Sequence, residues 1–378
     1  MMLKVLIYGY ATGVFSSRGI ARRLEEDVAF RVLGAGNFPS HRTICEFRRR
    51  HLEDFRRLFA EVVALAREMG VANFGKLSVD GTKVRANASK RKAMSYGRML
   101  AEERRLEGEI EALVERARET DAAEDARFGE AFRGDELPAE LRRREDRLAA
   151  IAAARQRLEA RQREADEARG RKPGMKRNPR GGRPYKRDYG EPDEKAQDNF
   201  TDPESRIMNT SQEGFQQCYN AQLAVEGANQ LIVAAEVSPS ASDQGHLVTL
   251  LDDVEATHGE RPATVLADAG YCNEADLATL EDRGVDGHVA LGREGRSEVA
   301  ADPEKHPAKA RMAAKLATAA GRAQYAQRKW LSEAPHGWIK EALGFRRFSL
   351  RGLDKVRGEW DLVCLALNIR RLRGLQAA

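Results

Sequence analysis

The chain has 378 residues, 42% hydrophobic and 33% charged, enough for two or three domains with real cores and too apolar for a disordered chain. Lys and Arg number 64 against 59 Asp and Glu, a net charge of +5 that neither demands nor excludes a nucleic-acid partner, so the placement of the cations matters more than their sum. No apolar run reaches the roughly 18–20 residues of a membrane span, no cleavage site follows the short apolar start, and Cys45, Cys218, Cys272 and Cys364 lack close Cys or His partners; the expectation is a cytoplasmic protein with reduced thiols and no structural zinc.

In chain order, residues 1–72 read as all helical. Ser16 or Ser17 is placed to cap a helix carrying Ile20, Leu24 and Val28, and a Gly-Pro break follows at residues 34–40. Ser40 then caps one helix over 41–70, with Phe47, Leu52, Phe55, Leu58, Phe59, Val62 and Val63 on its apolar face. The early turns of that helix carry Arg42, Arg48, Arg49 and Arg50. Two helices about a tight break, the second basic at its start, suit a helix-turn-helix DNA contact. An ordinary helical hairpin with a solvated basic face fits the same pattern.

Residues 73–90 change character: KLSVDGTKV alternates apolar and polar as a strand does and ends in a turn-like polar stretch. Residues 93–168 turn almost purely helical, with Leu106, Ile110 and Leu113, then Leu141, Leu148, Ile151 and Leu158, at coiled-coil spacings around a break near residues 121–138. Residues 169–187 form a basic linker with nine Lys or Arg and no acid, among them Arg177, Arg180, Arg183, Lys186 and Arg187. Such a tract is solubilising at the least and binds phosphates at low salt. From residue 215 the chain reads as α/β: strands in CYNAQLAVE and NQLIVAAEVS, a helix over 243–258, a short strand in ATVLADAGY, a helix over 274–283, a strand in GHVALGRE, helices over 303–343, and a closing helix through WDLVCLALNIRRL.

Two aspartates end apolar strands, Asp80 in SVDGTKV and Asp268 in VLADAGY, each followed by a small residue. Strand ends are where α/β folds place working groups. Two carboxylates on adjacent strands can bridge hard divalent cations that stabilise attacking and leaving oxygens of phosphoryl transfer; a turn or cap role is the plainer alternative for each alone. A third carboxylate is expected from a C-terminal helix capped by Ser332. Glu333 shares a helical face with Lys340, seven residues on, and Glu341 and Glu359 remain rivals.

The stretches MLKVLIYGYATGVFSSRGIARRLEEDVAFRVL, PSHRTICEFRRRHLEDF, KLSVDGTKVRANAS, DPESRIMNTSQEGFQQCYNAQLAV, VLADAGYCNE and GFRRFSLRGLDKVRGEWDLVCLALNIRRL resemble bacterial insertion-sequence transposases of the DDE class. The resemblance implies an α/β fold: an RNase H-like mixed sheet with flanking helices, built from residues 73–92 and 188–378, interrupted by the helical hairpin 93–168 and preceded by the helical DNA-binding domain 1–72. It places the family's two aspartates on Asp80 and Asp268, and its Tyr–Arg–Glu–Lys signature on Tyr325, Arg328, Glu333 and Lys340. Residues 334–337, Ala-Pro-His-Gly, depart from the proline that directly follows the glutamate in relatives. Relatives also carry a further stretch before MLKVLIYGYATG, so a shortened copy is expected.

The implied reaction is strand cleavage and strand transfer with two Mg²⁺ held by Asp80, Asp268 and Glu333, Mn²⁺ being able to substitute. The implied partners are double-stranded DNA, as transposon ends and target, and a second copy of the chain in the DNA complex. The protein would sit in the cytoplasm, on the nucleoid, with no membrane contact. A non-catalytic DNA-binding remnant and a plain nuclease of the same fold are the competing readings.

Overall fold

A computed structural model describes residues 1–128, 139–177, 183–210, 213–292 and 302–376. The chain divides into two compact units, Met1–Asn87 with Met208–Ala378, and Ala88–Ile207.

The first unit begins with five helices: α1 (Met2–Ala11), α2 (Ser17–Glu26), α3 (Val28–Leu33), α4 (His41–Arg50) and α5 (Leu52–Glu68). Ser16 caps α2 by accepting from the Gly19 amide at 2.9 Å, and Asp27 caps α3. Val28 therefore starts a new helix and stays 77% exposed rather than joining Ile20 and Leu24 in the core. Ser40 caps α4, as expected. The single helix expected over 41–70 is broken at His51, whose ring nitrogen pairs at 2.7 Å with Asp54 in the first turn of α5. After α5 the chain enters strand β1 (Lys76–Arg85).

The second unit holds β2 (Ala93–Ser95), α6 (Tyr96–Phe128), α7 (Ala139–Ala168) and β3 (Gln197–Asn199). β2 and β3 pair antiparallel. Contacts between α6 and α7 run in opposite senses: Tyr96 meets Glu159, Glu103 meets Arg155, and Glu109 meets Arg144. The two helices thus form an antiparallel pair around Tyr96, Met99, Leu106, Ile151, Ala154 and Leu158. Asp198 on β3 is fully buried and accepts from Arg157 and Arg161 on α7, each at 2.6 Å, so its charge is matched. Just beyond α7, the buried Arg171 pairs with Asp166 and stacks over Tyr185, which gives the basic segment a fixed anchor at its start.

The chain then returns to the first unit through β4 (Arg206–Thr210), β5 (Gly214–Glu226), β6 (Ile232–Ser238), α8 (His246–His258), β7 (Thr264–Ala267), α9 (Glu274–Asp282) and β8 (Asp286–Val289). The main sheet runs β6-β5-β1-β7-β8, with β4 a further neighbour of β5. β5 pairs antiparallel with β1, and β6 antiparallel with β5. β7 is parallel to β1, and β8 parallel to β7. β7 is a short buried apolar run, and β5 is buried along most of its length although it carries Gln217, Asn220, Gln222 and Glu226, as strands covered on both faces should be buried.

Helices α10 (Pro307–Ala317), α11 (Ala319–Gly337) and α12 (Leu353–Gln376) complete the unit. The helix expected to start at Ser332 in fact starts at Ala319, capped by Thr318, and runs through Pro335. Pro335 forgoes the bond to the Leu331 carbonyl, and its ring crowds that oxygen. A π-helical turn, Trp338–Ala342, follows directly. α11 packs against β1, β5, β7 and β8, while α12 packs on β6, α5 and α1. α12 is buried almost all round from Val356 to Asn368, as a central core helix is. The Asn368 amide both donates to and accepts from the Ile232 backbone, closing that end of β6.

One buried polar cluster ties the N-terminal helices to α12. Glu359 is fully buried and accepts from Tyr10 at 3.0 Å and from the Ser349 and Leu350 amides. Arg48, 3% exposed, donates to Tyr10 and to the Phe15 carbonyl and lies 3.7 Å from Glu359. Burial opposes the charge of Arg48, but Tyr10 and Glu359 outweigh it and hold the guanidinium well above its ordinary range.

Candidate active site

The parallel pairing of β1 with β7 ends at Val79↔Ala267, and the next residue on each strand is an aspartate. Asp80 is therefore not at the end of its own strand, which runs on to Arg85 paired with β5; it stands at the end of the parallel ladder, where the two strands part. Asp268 leaves β7 directly, beside it. Adjacent strands lie about 4.8 Å apart, so the backbone alone sets the two carboxylates side by side.

Each aspartate is pinned by its own turn. Asp80 accepts from the Gly81 amide at 2.9 Å, and Asp268 caps a 3-10 turn, Ala269–Tyr271, by accepting from the Gly270 amide at 2.8 Å. Burial raises the Asp80 carboxyl above the ordinary range, with nearby Asp243 adding to the effect and Arg328 opposing it. Burial raises Asp268 likewise, and the charge of Asp80 is the next cause. Two largely buried acids, each raised by burial and by Asp243, with Asp80 raising Asp268 further, form a site short of positive charge.

α11 lies over this point. Arg328 reaches Asp80 at 3.7 Å and lies against Tyr325. Burial works against its charge, but Tyr325, Asp80 and Asp268 outweigh it. One turn beyond, the buried Ser332 hydroxyl donates to the Arg328 carbonyl and lies on the side of α11 that faces Asp80, where it favours the charged carboxylate. Next along this face, His336 approaches the Asp80 carbonyl at 3.3 Å, its pKa lowered to about 4 by burial, so the ring is neutral. The π turn brings Lys340 to the Thr82 hydroxyl and, at 3.0 Å, to the Lys83 carbonyl.

Tyr325, Arg328, Lys340 and the two aspartates are thus brought to one end of the sheet. Glu333 is not. Helical residues turn about 100° each, and the position in phase with Tyr325 and Arg328 is Ser332; Glu333 is exposed, with no hydrogen bond or ion pair among the described residues. The donor set, two hard carboxylate oxygens with raised pKa, suits a hard divalent cation. Among the described residues, no group of three or more His, Cys, Asp or Glu stands ready to hold one.

Among the cations expected to meet DNA, Arg48 is a correction. It lies one turn after the buried Ile44, on the inner face of α4, and is consumed by Tyr10, Phe15 and Glu359. Arg49 and Arg50 are exposed but both pair with Glu46, and Arg42 is exposed. Arg177, Arg183 and Lys186 are exposed, Arg187 is exposed and paired with Asp193 at 2.6 Å, and Arg180 lies outside the described residues.

Asp243, Gln222 and Tyr271 were not singled out from sequence. Asp243 accepts from Asn220 and Gln222, each at 2.7 Å, and lies 3.4 Å from Lys83; Gln222 in turn accepts from the Tyr271 hydroxyl. No helix among the described residues is long and apolar enough to cross a membrane.

Comparison with known families adds two matches. A family model described as "Transposase DDE domain" matches residues 154–369, and one described as "Transposase domain (DUF772)" matches residues 1–50. The first spans Asp268, Glu333 and Lys340 but not Asp80, whose placement rests on the strand register. No curated protein and no solved structure matches the chain.

Proposed function

The chain belongs to the DDE-type transposases of insertion sequences, and from that premise we propose that it cleaves and joins DNA strands at the ends of such an element, using Asp80 and Asp268 as its metal-holding pair. The observation that carries this reading is the pair of aspartates one step past Val79↔Ala267. The sheet order β6-β5-β1-β7-β8, with β7 and β8 parallel to the central strand and β5 and β6 alternating, supports an RNase H-like catalytic core built from 73–92 and 188–378. The antiparallel pair α6 and α7 is then the inserted hairpin 93–168, followed by the linker 169–187, and helices 1–72 are the DNA-facing N-terminal part.

When bound, two Mg²⁺ ions, or Mn²⁺ in their place, supply activation of the attacking oxygen and stabilisation of the leaving one. Asp80 and Asp268 would offer one carboxylate each; Glu333, on the exposed side of α11, would complete the set only if that part of the helix turned it inward. Arg328 covers Asp80 and is placed to move onto a phosphate once that carboxylate is engaged. Lys340, whose pKa burial lowers, and Tyr325 orient the same phosphate from α11 and the π turn. No protein general base is called for. DNA ends and target are the substrate, a second copy of the chain completes the DNA complex, and the protein works on the nucleoid.

The test is a DNA bearing the inverted repeats that flank this gene, incubated with the full chain and Mg²⁺. Nicks at the repeat ends, followed by joining to a second DNA, are expected. Cleavage without joining would make it a nuclease, and binding without cleavage a remnant.

The basic segment should supply affinity without sequence preference, because its described residues, 169–177 and 183–187, form no helix or strand. Replacing Arg177, Arg183 and Lys186 by Ala should weaken binding to all DNAs alike. The slope of log K against log salt should fall by roughly 0.9 per lost phosphate contact. An unchanged slope in titrations at several salt concentrations would remove the segment from the DNA path.

A further inference from the structure

We propose that Asp243 is a positioning residue that sets the spacing of Asp80 and Asp268. This rests on the reading of those two aspartates as the metal-holding pair. Asp243 belongs to neither strand; it sits in the loop between β6 and α8. Its carboxylate is nevertheless wedged between the two backbone turns that follow the aspartates. A Cβ built on Gly81 would meet the Gln222 side-chain amide first and then Asp243 Oδ1 at 2.8 Å, and one on Gly270 would meet Asp243 Oδ2 at 2.9 Å. The Asp243 carboxylate, together with the Gln222 amide it holds, thus fills the room where the two glycine side chains would be.

The wedge is held from three sides. Asn220 and Gln222 on β5 donate to Oδ1, and Lys83 on β1 lies 3.4 Å from it. Gln222 also accepts from Tyr271, three residues past Asp268. Asp243 thus orients the Gln222 amide, and that amide grips the turn that carries Asp268. Removing the carboxylate leaves Gln222 without its acceptor and opens a gap beside Gly81 and Gly270 together. Carboxylates that share a cation must be held to within about 0.5 Å, and losing a residue that orients such ligands typically costs about 10–100-fold in metal affinity or activity.

The acceptor matters here, not the charge, so Asp243→Asn and Asp243→Ala should part company. Free Mn²⁺ is followed by its paramagnetic resonance signal while the full chain is titrated, and cleavage of end-bearing DNA is measured across Mn²⁺ concentrations, with melting curves alongside. Asp243→Ala should need at least about tenfold more Mn²⁺ for half-saturation and for half-maximal cleavage, whereas Asp243→Asn, which keeps the acceptor oxygen and the volume, should stay within a few-fold of the parent. Wild-type Mn²⁺ dependence in a folded Asp243→Ala would overturn the proposal, including the case where only its melting temperature falls. So would a loss in Asp243→Asn as deep as in Asp80→Asn, which would make Asp243 a direct ligand. Asp80→Asn is the control: if it binds Mn²⁺ like the parent, the reading of the acidic pair fails first.

Discussion

Asparagine at position 80 or 268 should abolish metal-dependent strand cleavage while leaving the protein on its DNA. The substitution keeps the shape and the oxygen that accepts from Gly81 or Gly270, so both turns survive. What is lost is one anionic oxygen donor. A bound divalent ion is worth several kcal/mol to the transition state of phosphoryl transfer, so the rate should fall by about a thousand-fold or more. Binding depends on cations that are untouched and should be unchanged. Stability should not suffer either. Burial and mutual repulsion already disfavour the two charges, so removing one should leave the melting temperature equal or higher. Supercoiled-plasmid nicking, filter retention and thermal melting on each variant check the three parts. Undiminished cleavage in either variant would dismiss the carboxylate assignment.

Replacing Arg48 by Met should cost the fold, not the recognition of DNA. Arg48 and Glu359 lie 3.7 Å apart with side chains 4% and 0% exposed. Breaking such a pair by removing one partner costs about 3–5 kcal/mol, because the other charge stays buried. Urea unfolding should show the loss in Arg48→Met, and Arg48→Met/Glu359→Gln should recover part of it. At temperatures where Arg48→Met remains folded, its preference for element ends over random DNA should equal the parent's. A selective loss of that preference with unchanged unfolding would restore Arg48 to the DNA-contacting face.

β1, β5, β6, β7 and β8 were legible as apolar or alternating runs with clear stops, whereas β2, β3 and β4 are short polar-containing segments that carry no such run; Asp80 and Asp268 stood out because each interrupts an apolar run. What the sequence concealed follows from geometry that a linear pattern does not carry. The apolar period passes smoothly through His51, so the break between α4 and α5 leaves no trace. Arg48, Arg49 and Arg50 look alike in sequence, yet successive helical residues point about 100° apart, and only Arg48 falls in phase with Ile44. Pro335 reads as a helix start, but α11 runs through it from Ala319 and turns Ser332 inward where Glu333 was expected. Asp243 reads as the first residue of a helix over 243–258, but that helix starts at His246, which leaves Asp243 in the loop before it, and only the fold brings it to the aspartates.

The cluster of Tyr10, Arg48 and Glu359 also bears on how the protein is made. At roughly 5–20 residues per second, translation would deliver Glu359 some 15–60 s after Arg48. Until then the first helices have an unmatched guanidinium and an apolar surface that α12 covers for the most part. β1 likewise waits for β5 across the whole of Ala88–Ile207. A chain cut short by a premature stop or frameshift would lack the helix that closes the N-terminal half, and quality control would meet it as an open, protease-sensitive product. Copies of the gene damaged near its 3′ end should therefore yield degraded polypeptide rather than a competitor that occupies element ends without cutting them.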